Sequence, residues 1–81
     1  MYRVLIHNDD KTTMGFVVQI LVSVFALQNE KAIQIMLEAH DTQVALVTVE
    51  TLERAEFHVE QCRSLARAQK YPLTLTIEPE E

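Results

Sequence analysis

An α+β two-layer sandwich is the fold this sequence predicts: a three-stranded, largely antiparallel sheet with three helices on one face, in the order β-α-α-β-α-β. Three observations carry that expectation. The two ends of the chain, YRVLIH at 2–7 and PLTLTIE at 72–78, alternate apolar and other residues as half-buried strands do. Internal stretches instead repeat apolar residues at helical spacing. The 81 residues include only one Gly and two Pro, too few for linkers or low-complexity segments, so residues 1–81 read as one compact domain.

In chain order, the first strand places Tyr2, Val4 and Ile6 on one face. Apolar residues at 14, 17, 18, 21 and 25 then mark the stripe of a first helix, with Thr12 or Thr13 as its N-cap. Ile33, Met36, Leu37 and His40 repeat that spacing in a second helix, which Asn29 is placed to cap and position 40 ends. TQVALVTVE carries Ala45, Val47 and Val49 on one side, which suggests the middle strand of the three, or at least the one buried on more of its surface. The third helix is the clearest: Leu52, Ala55, Val59, Cys62 and Ala66 step by three and four, Thr51 caps it, and Lys70 and Pro72 mark its end. The last strand sets Leu73, Leu75 and Ile77 opposite Thr74 and Thr76.

Composition narrows the function. A net charge of −5 and the lack of a Lys/Arg stripe argue against nucleic acid and toward a cationic target. The single cysteine, Cys62, excludes a disulfide framework, and no apolar run is long enough for a signal peptide or a membrane span, which places the protein in the cytosol. A chain of this length buries only ~60–65% of its unfolded surface, so a surface pocket is expected rather than a deep cavity.

The stretch HNDDKTTM at 7–14 then stands out, because it sets an amide beside two carboxylates where the first strand gives way to the first helix. Short connections in a βαα unit bring a strand end and a later helix end to one side of a domain. Asn8, Asp9 and His40 can therefore converge beside Met14 and Met36, forming an apolar hole with an anionic lip. An α-ammonium group has three donors and one charge, which an amide oxygen, a carboxylate and a neutral imidazole nitrogen accept together. Each residue also has a plain reading: turn and cap chemistry for NDD, a helix-end histidine, and methionines as core filler.

At these residues the sequence resembles the ClpS adaptors of the bacterial and plastid N-degron pathway. The resemblance rests on YRVLIHNDDKTTMGFV, MLEAH, TLERAEFHVEQC and YPLTLTIE, and spans nearly the whole chain. It implies a non-enzymatic adaptor, without cofactor or metal, that grips a bulky N-terminal residue and hands its bearer to a ClpA- or ClpC-type AAA+ unfoldase working with the ClpP protease. Asn8, Asp9 and His40 would hold the α-amino group. Thr12, Met14, Val17, Met36, Ala39 and Leu73 would line the side-chain pocket, and Glu53 and His58 would meet the unfoldase. The partners implied are N-degron proteins and the unfoldase, with no nucleic acid or membrane, and the state implied is a monomer.

The sequence departs from the family pattern in four places. Thr13 and Gly15 replace the usual Pro and acid of Thr-Pro-Met-Glu, which removes half of a capping box and should loosen the pocket rim. Ala39 stands where a larger residue such as Val is common, which should widen or reshape the pocket. His58 occupies a position that is commonly Lys. The chain also starts at its first strand, whereas family members carry an N-terminal extension used in delivery. A chain without that extension is expected to bind degrons and dock weakly, yet fail to promote their degradation.

Other chemistry fits less well. A calcium loop starting at Asn8 would need Gly at position 13 and Glu at position 19, where Thr13 and Gln19 stand. His58 and Cys62 have the spacing of a helical metal pair but no further ligands grouped nearby, and no nucleophile motif accompanies the histidines. The strongest rival is an interaction domain resembling the C-terminal domain of the bacterial ribosomal stalk protein, which has a similar sandwich but not the NDD and His combination.

Overall fold

A computed structural model describes all the residues, Met1–Glu81. The elements follow the expected order: β1 (Tyr2–His7), α1 (Met14–Ser23), α2 (Asn29–Thr42), β2 (Val44–Glu50), α3 (Leu52–Ala68) and β3 (Thr74–Pro79). No helix is long and apolar enough to cross a membrane.

The strands form one antiparallel sheet in the order β2-β1-β3. The middle strand is therefore β1, not the apolar stretch at 44–50. Val44 and Leu46 lie on the outer face of the sheet and remain 36% and 41% exposed. On the inner face Val4, Ile6, Ala45, Val47 and Leu75 join residues of all three helices in a single apolar core. α2 and α3 pack on the sheet, and α1 packs on α2.

A β-bulge corrects the expected alternation of β2. Val4 pairs with Thr48 and Leu5 with Leu46, so Val47 is the extra residue. Past the bulge Val49 comes opposite Arg3 and Glu50 opposite Tyr2. Val49 therefore shares the outer face with Arg3 instead of following Ala45 and Val47 inward, and Glu50 is turned toward the helices. There its carboxylate meets Nδ1 of His58 at 2.7 Å.

The helices keep the expected order but not all of the expected faces. α1 is capped by Thr13, whose hydroxyl accepts from the Phe16 amide, and buries Ile20 and Leu21 while Met14 stays 46% exposed. It ends at Ser23, before Phe25. α2 buries Ala32, Ile35 and Ala39, a face turned one residue from the expected one, and leaves Ile33 and Leu37 outside. Its N-cap is Gln28, which makes no side-chain bond, so Asn29 is the first helical residue and not the cap; the helix runs past His40 to Thr42. α3 is capped by Thr51 as expected and buries Ala55, Val59, Cys62 and Ala66, with Leu52 exposed at its start.

The one glycine is not where the backbone asks for one. Ala26, Gln43 and Lys70 have left-handed φ of 56°, 76° and 61°, whereas Gly15 sits in a helix with open space where its Cβ would be. Gly15→Ala is therefore expected to raise stability by about 0.5–1 kcal/mol, and Lys70→Gly, remote from the site below, by about 1 kcal/mol. Denaturant unfolding of the two variants checks both values.

Candidate functional site

The fold brings nine of the residues singled out in the sequence around one pocket of about 320 Å³, counted out to its open mouth. These are Asn8, Asp9, Thr12, Met14, Val17, Met36, Ala39, His40 and Leu73, and two further residues, Ile6 and His7, also line it. Ile6 was legible in principle, as the last inward residue of the first strand before the turn. His7 gave no such signal; its Nε2 lies 2.7 Å from Oγ1 of Thr76 on the neighbouring strand.

Each element delivers its share for a local reason. β1 ends at His7, and the Asn8 amide donates to the Gln43 carbonyl at 2.9 Å, tying the following turn to the end of α2. Asp9 then organises the turn. Its Oδ1 accepts from the amides of Lys11 and Thr12 at 2.8 and 2.7 Å, and its Oδ2 accepts from the Thr12 hydroxyl at 2.7 Å. The Thr13 cap follows at once, so the first turn of α1 sets Met14 and Val17 on the pocket wall, three residues apart. α2 supplies Met36, Ala39 and His40 at i, i+3 and i+4, and Leu73 comes from the segment leading into β3.

With Thr13 as the cap, Gly15 is the second helical residue and Phe16 the third. A carboxylate at position 15 would therefore not complete a capping box from Thr13. The cost of Gly15 is one of helix propensity.

The lip carries negative charge. Partial burial works against the Asp9 carboxylate, but the Thr12 amide, the Thr12 hydroxyl, the Lys11 amide and the Lys11 ammonium outweigh it and hold its pKa below the ordinary 3.8. The hydrogen bonds within the lip are all made by Asp9; the side chains of Asn8 and His40 make none. The wall below is apolar except for Thr12, with two flexible thioethers, Met14 and Met36. Such a site can receive a small cationic donor attached to an apolar side chain.

The other two predicted residues, Glu53 and His58, lie away from the pocket on α3. Glu53 is exposed in its first turn. His58 is largely covered, with a side-chain exposure of 14%, because Glu50 bonds its Nδ1 and Phe25 and Phe57 flank its ring at centroid distances of 5.1 and 5.8 Å. Cys62, four residues on, is in the core, where burial pushes its thiol up to about 12.

Comparison with known proteins agrees with this architecture. The family model described as "ATP-dependent Clp protease adaptor protein ClpS" matches residues 1–76. A protein of Desulforapulum autotrophicum named ATP-dependent Clp protease adapter protein ClpS is 50% identical over 80 residues, covering 99% of this chain and 77% of that protein. A protein of the same name from Nitratidesulfovibrio vulgaris (strain DSM 19637 / Miyazaki F) is 47% identical over 78 residues, covering 96% and 78%. Among solved structures, Agrobacterium tumefaciens ClpS2 bound to L-phenylalaninamide superposes with a TM-score of 0.94 at 33% identity, over 98% of this chain and 95% of that one. On this evidence of sequence and fold together, the chain belongs to the ClpS family of ATP-dependent Clp protease adaptors.

Proposed function

We propose that the pocket holds the N-terminal residue of a substrate protein. Its α-ammonium group is received by Asn8, Asp9 and His40, and its side chain enters among Thr12, Met14, Val17, Met36, Ala39 and Leu73. The observation that carries this reading is the joining of an anionic lip, with two uncommitted side chains, to an apolar pocket. The A. tumefaciens neighbour adds support: its ligand, L-phenylalaninamide, has a free α-amino group, an aromatic side chain and an amide where a peptide would continue.

In this reading residues 1–81 act as one adaptor core domain, a cytosolic monomer that brings the bound protein to a ClpA- or ClpC-type unfoldase. Exposed Glu53 offers the docking contact, while covered His58 steadies the start of α3 through Glu50. The test is a titration of short peptides that differ only in their first residue. Those beginning with Leu, Phe, Tyr or Trp should bind, and those beginning with Gly or Asp should not; indifference to the first residue would sink the reading. Glu53→Lys should weaken docking on the isolated N-terminal domain of the unfoldase and leave peptide binding unchanged.

The pH dependence of binding separates the members of the lip. Asp9 has a lowered pKa, so its stabilising contribution is present above the ordinary 3.8 and is lost only as pH falls through its lower folded value. It stays ionised in mild acid. The His40 imidazole accepts from the ammonium only when neutral; once protonated it has donors alone and repels the ligand. Affinity is therefore expected to fall in mild acid, where an imidazole gains its second proton while the carboxylate stays charged. His40→Asn keeps an acceptor and should flatten the profile at some cost in affinity, and His7→Asn serves as the control for the other histidine. A profile unchanged by His40→Asn would remove His40 from the site.

A further inference from the structure

We propose that Thr12 makes this pocket discriminate among bulky N-terminal residues in favour of tryptophan, by accepting a hydrogen bond from the indole N–H. The inference rests on the pocket reading above and concerns which residue that pocket prefers. Thr12 is the one side chain with a hydroxyl among the residues lining the pocket, and it also lines the open lip beside Asp9, Asp10 and Lys11. It therefore belongs to the upper wall, near the mouth. Its hydroxyl proton is committed, since Oγ1 donates to Oδ2 of Asp9 at 2.7 Å. A hydroxyl has one donor and two acceptor lone pairs, so what Thr12 has left for a ligand is acceptor capacity alone.

That chemistry matches one aromatic side chain better than the others. A buried indole N–H needs an acceptor, and it sits on the five-membered ring, close to the backbone. With the α-ammonium at the lip, the indole nitrogen falls at the height of the upper wall. The phenol O–H of tyrosine lies at the far end of its ring, beyond the reach of a group near the mouth, and phenylalanine and leucine carry no donor. Ala39, a small buried residue on the wall formed by α2, takes up little of the pocket, and the flexible Met14 and Met36 can swing aside to admit the wider bicyclic ring.

The experiment compares peptides that begin with tryptophan and with β-(3-benzothienyl)alanine, in which sulfur replaces the indole N–H at nearly the same shape. Isothermal titration with the unmodified protein should give about three- to tenfold tighter binding of the tryptophan peptide, the worth of one hydrogen bond to a neutral acceptor. Thr12→Val, which keeps the shape and removes the oxygen, should bring the ratio to about one, and Thr12→Ser should restore it. Loosening of the turn by loss of the Asp9 contact weakens both peptides alike and cancels in the ratio. Thermal melts identify any variant that fails to fold, and the unmodified protein tests the idea without a variant. Equal binding of the two peptides by the unmodified protein, or a ratio that Thr12→Val leaves unchanged, overturns the proposal. If neither these peptides nor a leucine peptide binds at all, the pocket reading itself has failed.

Discussion

Acetylating the α-amino group of a peptide that begins with leucine or phenylalanine should lower its affinity for this protein about a hundredfold or more, with the side chain unchanged. The ammonium group brings three donors and a positive charge, and the lip is built from acceptors. Asp9 is held ionised by its turn, and Asn8 and His40 have no hydrogen bonds elsewhere in the chain. Acetylation removes the charge and two of the donors and adds a carbonyl oxygen facing a carboxylate. The lip is then left partly desolvated against a group that cannot satisfy it, a loss of about 3 kcal/mol when the polar groups are half-buried. Fluorescence anisotropy with a matched pair of labelled peptides measures the effect. Equal affinity for free and acetylated forms would show that the apolar wall binds without the lip.

Asp9→Ala should have an effect of similar size on binding and a second, smaller one on the fold. The carboxylate is both the charge of the lip and the acceptor for two backbone amides and one hydroxyl of its own turn. Its removal leaves the amides of Lys11 and Thr12 to water and frees the Thr12 hydroxyl. Affinity for a leucine peptide is expected to fall about a hundredfold, since a charge partner of the ligand and the shape of the lip are lost together. Stability should fall by only about 1 kcal/mol, because the turn is open enough for water to replace the lost bonds. Asp9→Asn separates the two contributions: it keeps an acceptor for the turn and removes the charge, so stability should largely recover while binding does not. Recovery of binding in Asp9→Asn would show that Asp9 acts by shaping the turn alone.

Much of the site was legible along the chain because its chemistry is concentrated in short stretches. HNDDKTTM holds five of the pocket residues beside its strand end, and Met36, Ala39 and His40 follow one helical face. The face of α2 was harder to read. Hydropathy favours the larger Ile33 and Leu37, but the helix packs through Ala32 and Ala39, whose small side chains let it approach its neighbours closely. Burial there follows fit rather than apolar size. Glu53 was singled out by the resemblance alone, and the covering of His58 depended on a glutamate eight residues earlier and an aromatic ring on another segment.

Local periodicity was enough to establish the number, type and order of the elements, because the alternation of a strand and the stripe of a helix are repeated every few residues. The caps at Thr13 and Thr51 were local for the same reason: a side chain bonds an amide three residues away. Strand order is of a different kind. β1 became the middle strand by pairing with segments some forty and seventy residues distant, as in Leu5 with Leu46 and Thr76, and no pattern within β1 or β2 encodes that choice. The bulge at Val47 likewise exists only as a mismatch between two strands, yet it decides that Glu50 faces the helices and meets His58. The direction of the Thr12 hydroxyl was decided in the same way, since its residue type allows it to donate or accept and the position of the Asp9 carboxylate in the folded turn makes it the donor there.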